Sequence, residues 1–336
     1  MVYERQNPRD KIPNMLRISV EKVDILEVKS LTLERESNKA DHFEAVIPNA
    51  NNRYSFDIRS IEDEPLKFYW DEKLIFTGIL DQVTYTVDDE GERIRLEGRG
   101  LLAKLQDDTV EDVLNEVSGK PAGDIARNLA ESVGLEIGWI EAEDIIKDYS
   151  GLTPESTKYE LLEFLQSKTG AIFWIDREGK FNFLKPRDKE PRIEFIYPEK
   201  LPKRIEIYES KTLTLSFKVK VIGYDPWRKR KIVCVAESPQ RNRPNYKLIT
   251  IRDYSLHTKE EVCKRAKGLL RLYSLGFVVL EGEIPGFLKA DIGDVLQLKG
   301  MDMPERYIIT KLTFDLSSDE GLVTRFRAEV LDVERK

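Results

Sequence analysis

Histidine and cysteine are nearly missing from this 336-residue chain: His42, His257, Cys234 and Cys263 are all it has. Four such residues build no zinc module of paired ligands. Any Ser–His or Cys–His couple would have to draw on one of two histidines. The cysteines stand far apart in a charged chain with no secretory signal ahead of them, so they read as free, reduced thiols of a protein made in the cytosol. No run of about 18 apolar residues exists, which excludes a membrane-spanning helix. The polar stretch Met1–Lys11 lacks the apolar core of a signal peptide.

Charge is abundant instead. Lys and Arg number 54 and Asp and Glu 61, for a net charge of −7, and charged residues make up 34% of the chain. That is above the roughly 25% of ordinary soluble domains. With 40% hydrophobic residues the chain still has ample material for a core and is not disordered. Its length predicts two or three domains, at about 150 residues each. Much Lys, Glu, Arg and Ile beside little Gln and His follows the thermophile trend.

From Leu16 to Gly98 the pattern has period two. Leu16–Val23, Leu31–Arg35, His42–Ile47, Pro65–Trp70, Leu74–Leu80, Val83–Val87 and Arg93–Glu97 alternate apolar with polar residues between acidic or Gly-bearing turns. Short strands of this kind predict an antiparallel sandwich or barrel. The middle differs. Helices are predicted at Leu101–Leu105, Thr109–Val117, Pro121–Val133 and after a Ser156 or Thr157 cap, with Gly134 and Gly170 as stops. A hairpin follows, Ala171–Ile175 with Lys180–Leu184 around Asp176–Gly179. Past the Pro-bearing stretch 186–202, strands resume at Arg204–Tyr208, Thr212–Gly223 and Arg230–Ala236. A helix covers Lys259–Leu275, and strands run on from Phe277 to Val330. The segment Gln82–Gly91 resembles Lys311–Gly321: each is a strand, an acidic turn closed by Gly, then a strand with Arg on its polar side. Such hairpins are common, and two related β-domains in one chain are the other explanation.

Chemical motifs are weak. Gly98-Arg99-Gly100-Leu101-Leu102-Ala103 fits a dinucleotide fingerprint, but the strand before it alternates and no βαβ unit follows, so a sharp strand-to-helix corner is the better reading. Trp227-Arg228-Lys229-Arg230-Lys231 follows a turn and reads as a solvated hairpin tip rather than a phosphate site. The densest carboxylates, Asp88–Glu90, Glu141–Asp144 and Asp315–Glu320, sit in polar turns and lack calcium-loop spacing. No Gly-x-Ser-x-Gly elbow is present. Cys263 reads as a structural thiol. No catalytic residue, metal ligand or cofactor is assigned.

The order of elements resembles the baseplate hub family of phage tails and related contractile particles, the phage late control protein D family. Four places carry the likeness: Phe76–Asp81; Leu96–Leu105; the run Ile125–Ala130, Gly134-Leu135, Glu160–Leu165, Gly170–Asp176 and Gly179–Phe183; and Asp291–Leu296 followed by Tyr307–Leu312. No single motif is specific; their order over roughly residues 70–330 is what resembles the family. The positions fitting its pattern are Gly78, Gly98, Gly100, Gly134, Gly170, Gly179, Gly293 and Asp294.

The resemblance implies an α+β, mainly β chain in which two tube-like antiparallel β-barrels flank a small inserted α/β domain. The boundaries it implies are 1–104 for the first barrel, 105–200 for the insert and 201–336 for the second barrel with one helix at about 259–275. It implies a homotrimer forming a ring between a hexameric tail tube protein and a trimeric central spike protein. Other baseplate and tape-measure proteins are further partners, and the location is a virion tail baseplate or phage-like particle assembled in the host cytoplasm. No membrane insertion and no specific nucleic-acid binding are expected, although DNA would pass through the channel, for which acidic side chains would make a suitable lining. No fused lysozyme or spike domain is visible. The alternatives are a tail-associated peptidoglycan hydrolase and a nucleic-acid-binding β-barrel.

Overall fold

Alternation of apolar and polar residues decides most of the architecture. The computed structural model describes residues 16–331 apart from 21–22, 50–64, 90, 112, 114–116, 147–148, 150–151, 187–189, 210–217, 238–247, 275–277 and 304. The first β unit comprises β1 (Leu16–Val20), β2 (Val23–Ile25), β3 (Ser30–Glu36), β4 (His42–Pro48), β5 (Leu66–Trp70), β6 (Lys73–Asp88) and β7 (Gly91–Gly100). Leu31, Leu33, Phe43, Ala45, Phe68, Phe76, Ile94 and Leu96 are buried on one face. Glu34, Glu44, Arg95 and Glu97 on the other face form ion pairs, Arg95 bridging Glu44 and Glu97. Phe43, Phe68 and Phe76 pack edge to face with ring centroids 5.0, 5.5 and 5.7 Å apart, a favoured aromatic geometry.

The chain then leaves the sheet. α1 (Ala103–Gln106), α2 (Ala122–Ser132), β8 (Glu136–Glu141), α3 (Lys158–Thr169), β9 (Ile172–Ile175) and β10 (Lys180–Leu184) build a small α/β unit around its own core of Leu105, Ile125, Leu129, Leu162, Phe173 and Phe181. Its sheet runs β8–β10–β9, with β8 parallel to β10 and β9 and β10 joined as a hairpin. α3 opens with a capping box: Thr157 Oγ1 accepts from the Glu160 N–H, and the Glu160 carboxylate accepts from the Thr157 N–H. It closes at Gly170 (φ 74°). Over the expected helix Thr109–Val117 the described residues are bridge and turn, with Thr109 bridged to Thr157; residues 112 and 114–116 lie outside the description.

The second β unit consists of β11 (Ile193–Ile196) and β12 (Arg204–Glu209), then β16 (Val278–Pro285), β17 (Val295–Lys299), β18 (Arg306–Ser317) and β19 (Gly321–Val330). Between its first and last strands lie β13 (Lys218–Asp225), β14 (Arg230–Glu237), β15 (Leu248–Arg252) and α4 (Lys259–Ser274). Two expectations are corrected here. α4 does not pack within a second barrel: it covers the separate sheet β14–β13–β15, around Val219, Val221, Val262, Ala266 and Leu269. The cysteines are not free thiols: β14 and α4 pack so that Cys234 and Cys263, with Cα atoms 5.1 Å apart, form a disulfide. Sequence separation carried no information about that distance, since strand and helix meet only after folding.

Both β units follow one plan, and the whole molecule is mainly β with antiparallel ladders. In the first unit the strands lie in the order β1–β5–β6–β7–β4–β3; in the second, in the order β11–β17–β18–β19–β16–β12. The registers agree residue by residue. Pro48 stands opposite Arg93 and Pro285 opposite Val323 at matching ladder positions. A register shift falls between Leu80 and Gln82 in β6 and between Ile309 and Lys311 in β18. Gly91 and Gly321, both at positive φ, end the two turns. One difference in handedness remains: β1 runs antiparallel to β5, whereas β11 runs parallel to β17. The two units are hydrogen-bonded to each other. β18 is longer than β17, so its Lys311–Leu316 half pairs with β3 of the first unit and unites both in one thirteen-stranded sheet over one core.

Candidate functional site

The most heavily buried charge in the molecule sits where the three units meet. In β3, Arg35 falls in phase with Leu31 and Leu33, so alternation points it inward, and its side chain is 1% exposed. Its Nε donates to Asp41 (3.2 Å), one Nη to Asp291 (2.6 Å), and the other to the carbonyl of Ile175 in β9 (2.6 Å). The Arg177 N–H donates to the same Asp291 carboxylate at 2.9 Å. One guanidinium therefore ties the first β unit to the α/β unit and to the loop before β17. Burial alone would raise Asp291, but the charges of Arg35 and Arg177 and two backbone N–H groups outweigh it and hold its carboxyl below the usual range. Burial pushes Asp41 up to about 6, offset only in part by Arg35. The node is a structural joint whose charged groups bond to one another and to backbone.

A second joint adjoins it. At the β3–β4 turn the Asn38 N–H donates to the Phe173 carbonyl, the Asn38 carboxamide oxygen accepts from the Phe173 N–H, and the Tyr159 hydroxyl donates to the Asn38 carbonyl. The short turn of the first unit is thus the socket for β9.

The eight family-pattern positions fall on such joints rather than in one pocket. Gly78 in β6 lies opposite Gly100 in β7. Gly98 lies beneath the Phe43 ring; a Cβ there would stand 2.0 Å from the Ile79 carbonyl and 2.6 Å from that ring. Gly170 caps α3 in the left-handed region against Gly268 of α4, where a Cβ would come 2.5 Å from the Gly268 carbonyl. Gly134 follows α2, and Gly179 closes the β9–β10 turn by donating to Asp176. Gly293 lies against the Trp174 ring, and Asp294 accepts from the Asp291 N–H through its carboxylate and from the Ile309 N–H through its carbonyl. The Gly98–Ala103 motif lies on a half-buried strand leading into a one-turn helix, so its glycines serve close packing and not phosphate.

A cavity of about 300 Å³ lies between residues 143–146 and the start of α4. Two of its carboxylates are ion-paired: Asp144 with Lys185 and Lys264, and Asp253 with Lys168. Burial lowers the Arg265 guanidinium to about 10 against the pull of Asp253. These ion pairs tie the α/β unit to α4 and the segment before it. The basic run at 227–231 forms the β13–β14 hairpin tip, with Trp227 92% exposed. His42 is exposed in β4, and His257 precedes α4 with its Nδ1 3.0 Å from the Tyr224 carbonyl. Among the described residues no group of three or more His, Cys, Asp or Glu is placed to hold a metal ion. No helix among them is long and apolar enough to cross a membrane.

What the fold leaves available is strand edge. β5 pairs with β6 only as far as Gly78, and no strand among the described residues lies along that edge beyond it. β12 ends the path of the large sheet, paired to β16 alone among the described residues. Tyr85, Val87 and Tyr208 at these two edges are 50%, 78% and 39% exposed. Nothing in the residue pattern of β6 distinguished its paired half from its open half.

No family model and no curated protein sequence matches the chain. Solved structures do. A tail protein of Neisseria meningitidis aligns with a TM-score of 0.74 at 17% identity, covering 94% of this chain and 96% of its own. The 43 kDa tail protein of prophage MuSo2 from Shewanella oneidensis aligns at 0.69 and 15% identity, covering 94% and 97%. An Escherichia coli component of the type VI secretion system aligns at 0.57 and 10% identity, covering 93% and 76%. Over nearly its whole length, this chain has the fold of phage tail proteins.

Proposed function

We propose that the chain is the structural hub of a phage or phage-like tail baseplate, a trimeric ring that joins a hexameric tail tube to a trimeric central spike. The observation that supports this best is the pair of β units with one strand order. Three copies of a chain with two like units present six similar surfaces to a hexamer while keeping true threefold symmetry for a trimer. The fold shared with tail proteins agrees with it. In this reading the two β units supply the ring wall and the α/β unit is an insertion between them; because β11 (Ile193–Ile196) belongs to the second unit, the expected boundary at 200 moves ahead of it. The protein works by shape, needs no cofactor, sits in the virion baseplate after assembly in the host cytoplasm, and lets DNA pass without binding it specifically.

Light scattering on the full chain, followed by electron-microscopic class averages, tests the reading. Three copies around a channel are expected, and a strict monomer at high concentration overturns it. Release of soluble fragments from peptidoglycan by the purified chain would overturn the non-catalytic role. Salt-sensitive binding of nucleic acid that weakens when Arg228–Lys231 are neutralised would favour a nucleic-acid-binding barrel.

A further inference from the structure

The two β units are already joined once within the chain, and that joint specifies a second one. β3 of the first unit pairs with the far half of β18 of the second: Glu34 opposite Thr313, Leu33 opposite Phe314, Thr32 opposite Asp315 and Leu31 opposite Leu316. Leu31, Leu33 and Phe314 are buried there, and the Thr32 hydroxyl donates to Asp315 at 3.2 Å. By the shared registers, β12 is the counterpart of β3, with Ile205, Glu206, Ile207 and Tyr208 in the places of Leu31, Thr32, Leu33 and Glu34. β6 is the counterpart of β18, with Thr84, Tyr85, Thr86 and Val87 in the places of Thr313, Phe314, Asp315 and Leu316. Among the described residues those two strands have the open edges. Phe314 is 1% exposed and its counterpart Tyr85 is 50% exposed.

We propose that β12 of one copy adds antiparallel to the far half of β6 of a second copy, repeating between copies the joint that β3 and β18 make within one. The register is Tyr208 opposite Thr84, Ile207 opposite Tyr85, Glu206 opposite Thr86 and Ile205 opposite Val87. The apolar pairs share one face, and the Thr86 hydroxyl meets the Glu206 carboxylate as Thr32 meets Asp315, with the roles of the two strands exchanged. Strand addition satisfies both edges at once. A one-residue slip would turn Tyr85 and Val87 to the polar face, so the register is strongly specified. The contact is head-to-tail, which closes into a ring when the rotation permits. It names the subunit contact of the hub and so rests on that reading.

The test uses the full chain with cysteine pairs at facing positions. Thr84→Cys with Tyr208→Cys, or Thr86→Cys with Glu206→Cys, should give disulfide-linked oligomers under mild oxidation. Thr84→Cys with Ile207→Cys, on opposite faces, should not. Separately, Val87→Lys leaves the monomer core untouched, since the side chain is 78% exposed. It should raise the concentration for half-assembly at least about tenfold, the effect of losing one buried apolar contact. A trimer that forms without the in-register links and ignores Val87→Lys overturns this contact but leaves the ring standing. A chain that stays monomeric overturns both.

Discussion

The two β units share a strand order and differ in what interrupts it. In the first unit the turn between β3 and β4 is residues 37–41, held by Asn38 against β9. In the second, the same place between β12 and β16 opens into residues 210–277, which contain a sheet, a helix, a core and a disulfide of their own. The sheet tolerates this because a hairpin turn contributes little to the ladder, whereas register, bulge and turn glycine recur in both units at matching places. The ladder geometry is the shared element, and its side chains were refilled: the Phe43 ring over Gly98 in one unit corresponds to Leu280 over Ala328 in the other.

That last correspondence can be broken with the largest effect. Gly98→Ala places a Cβ 2.0 Å from the Ile79 carbonyl, so backbone must move, and a loss of more than about 4 kcal/mol is expected. At the matching position Ala328→Gly should cost only about 1 kcal/mol. Urea unfolding of the two variants checks the contrast, and equal losses would show that the two units pack alike there after all.

Next in size is the joint that only the first unit has. Arg35→Met leaves Asp41 buried without its cation and Asp291 with Arg177 alone, and breaking such a pair costs about 3–5 kcal/mol. Because the node spans three units, calorimetry should show the single transition splitting into two. Reduction of Cys234–Cys263 acts on the other side of the comparison. It should lower the stability of the β13–β15 and α4 layer by about 2–4 kcal/mol. Hydrogen exchange should accelerate there while β3, β4 and β7 stay protected.

The ladders of both units were legible in the sequence because alternation is a local signal. Val83–Val87 with Arg93–Glu97 and Tyr307–Phe314 with Leu322–Val330 read as strand–turn–strand, and a Ser156 or Thr157 cap and Gly170 marked the limits of α3. β8, β11 and β15 were not legible, because each pairs in parallel with a distant strand and is short or weakly patterned. The disulfide and the β3–β18 joint were hidden for the same reason. Arg35 could have been found: a charge in phase with two leucines on an alternating strand is an inward charge, and an inward charge needs partners.

The smallest effect is a pH dependence at that charge. Asp41 is raised to about 6 from an ordinary 3.8 by burial, so the folded state binds its proton more tightly than the unfolded chain does. Its contribution is therefore greatest below about pH 4 and is lost as pH rises through about 6. Asp291, held below the usual range, works in the opposite sense, and its contribution is lost only as pH falls below about 4. Between pH 4 and 7 Asp291 stays ionised, and Asp176, raised by burial, is common to wild type and variant, so their comparison isolates Asp41. The stability of the wild type relative to Asp41→Asn should thus fall across that window, by on the order of 2 kcal/mol. Denaturant titrations at pH 4.5, 5.5 and 6.5, chosen about the 3.8-to-6 shift, measure the drift. A difference that stays flat, or rises with pH, would mean that Arg35 holds Asp41 ionised throughout. The first unit's joint would then be a permanent ion pair across that window.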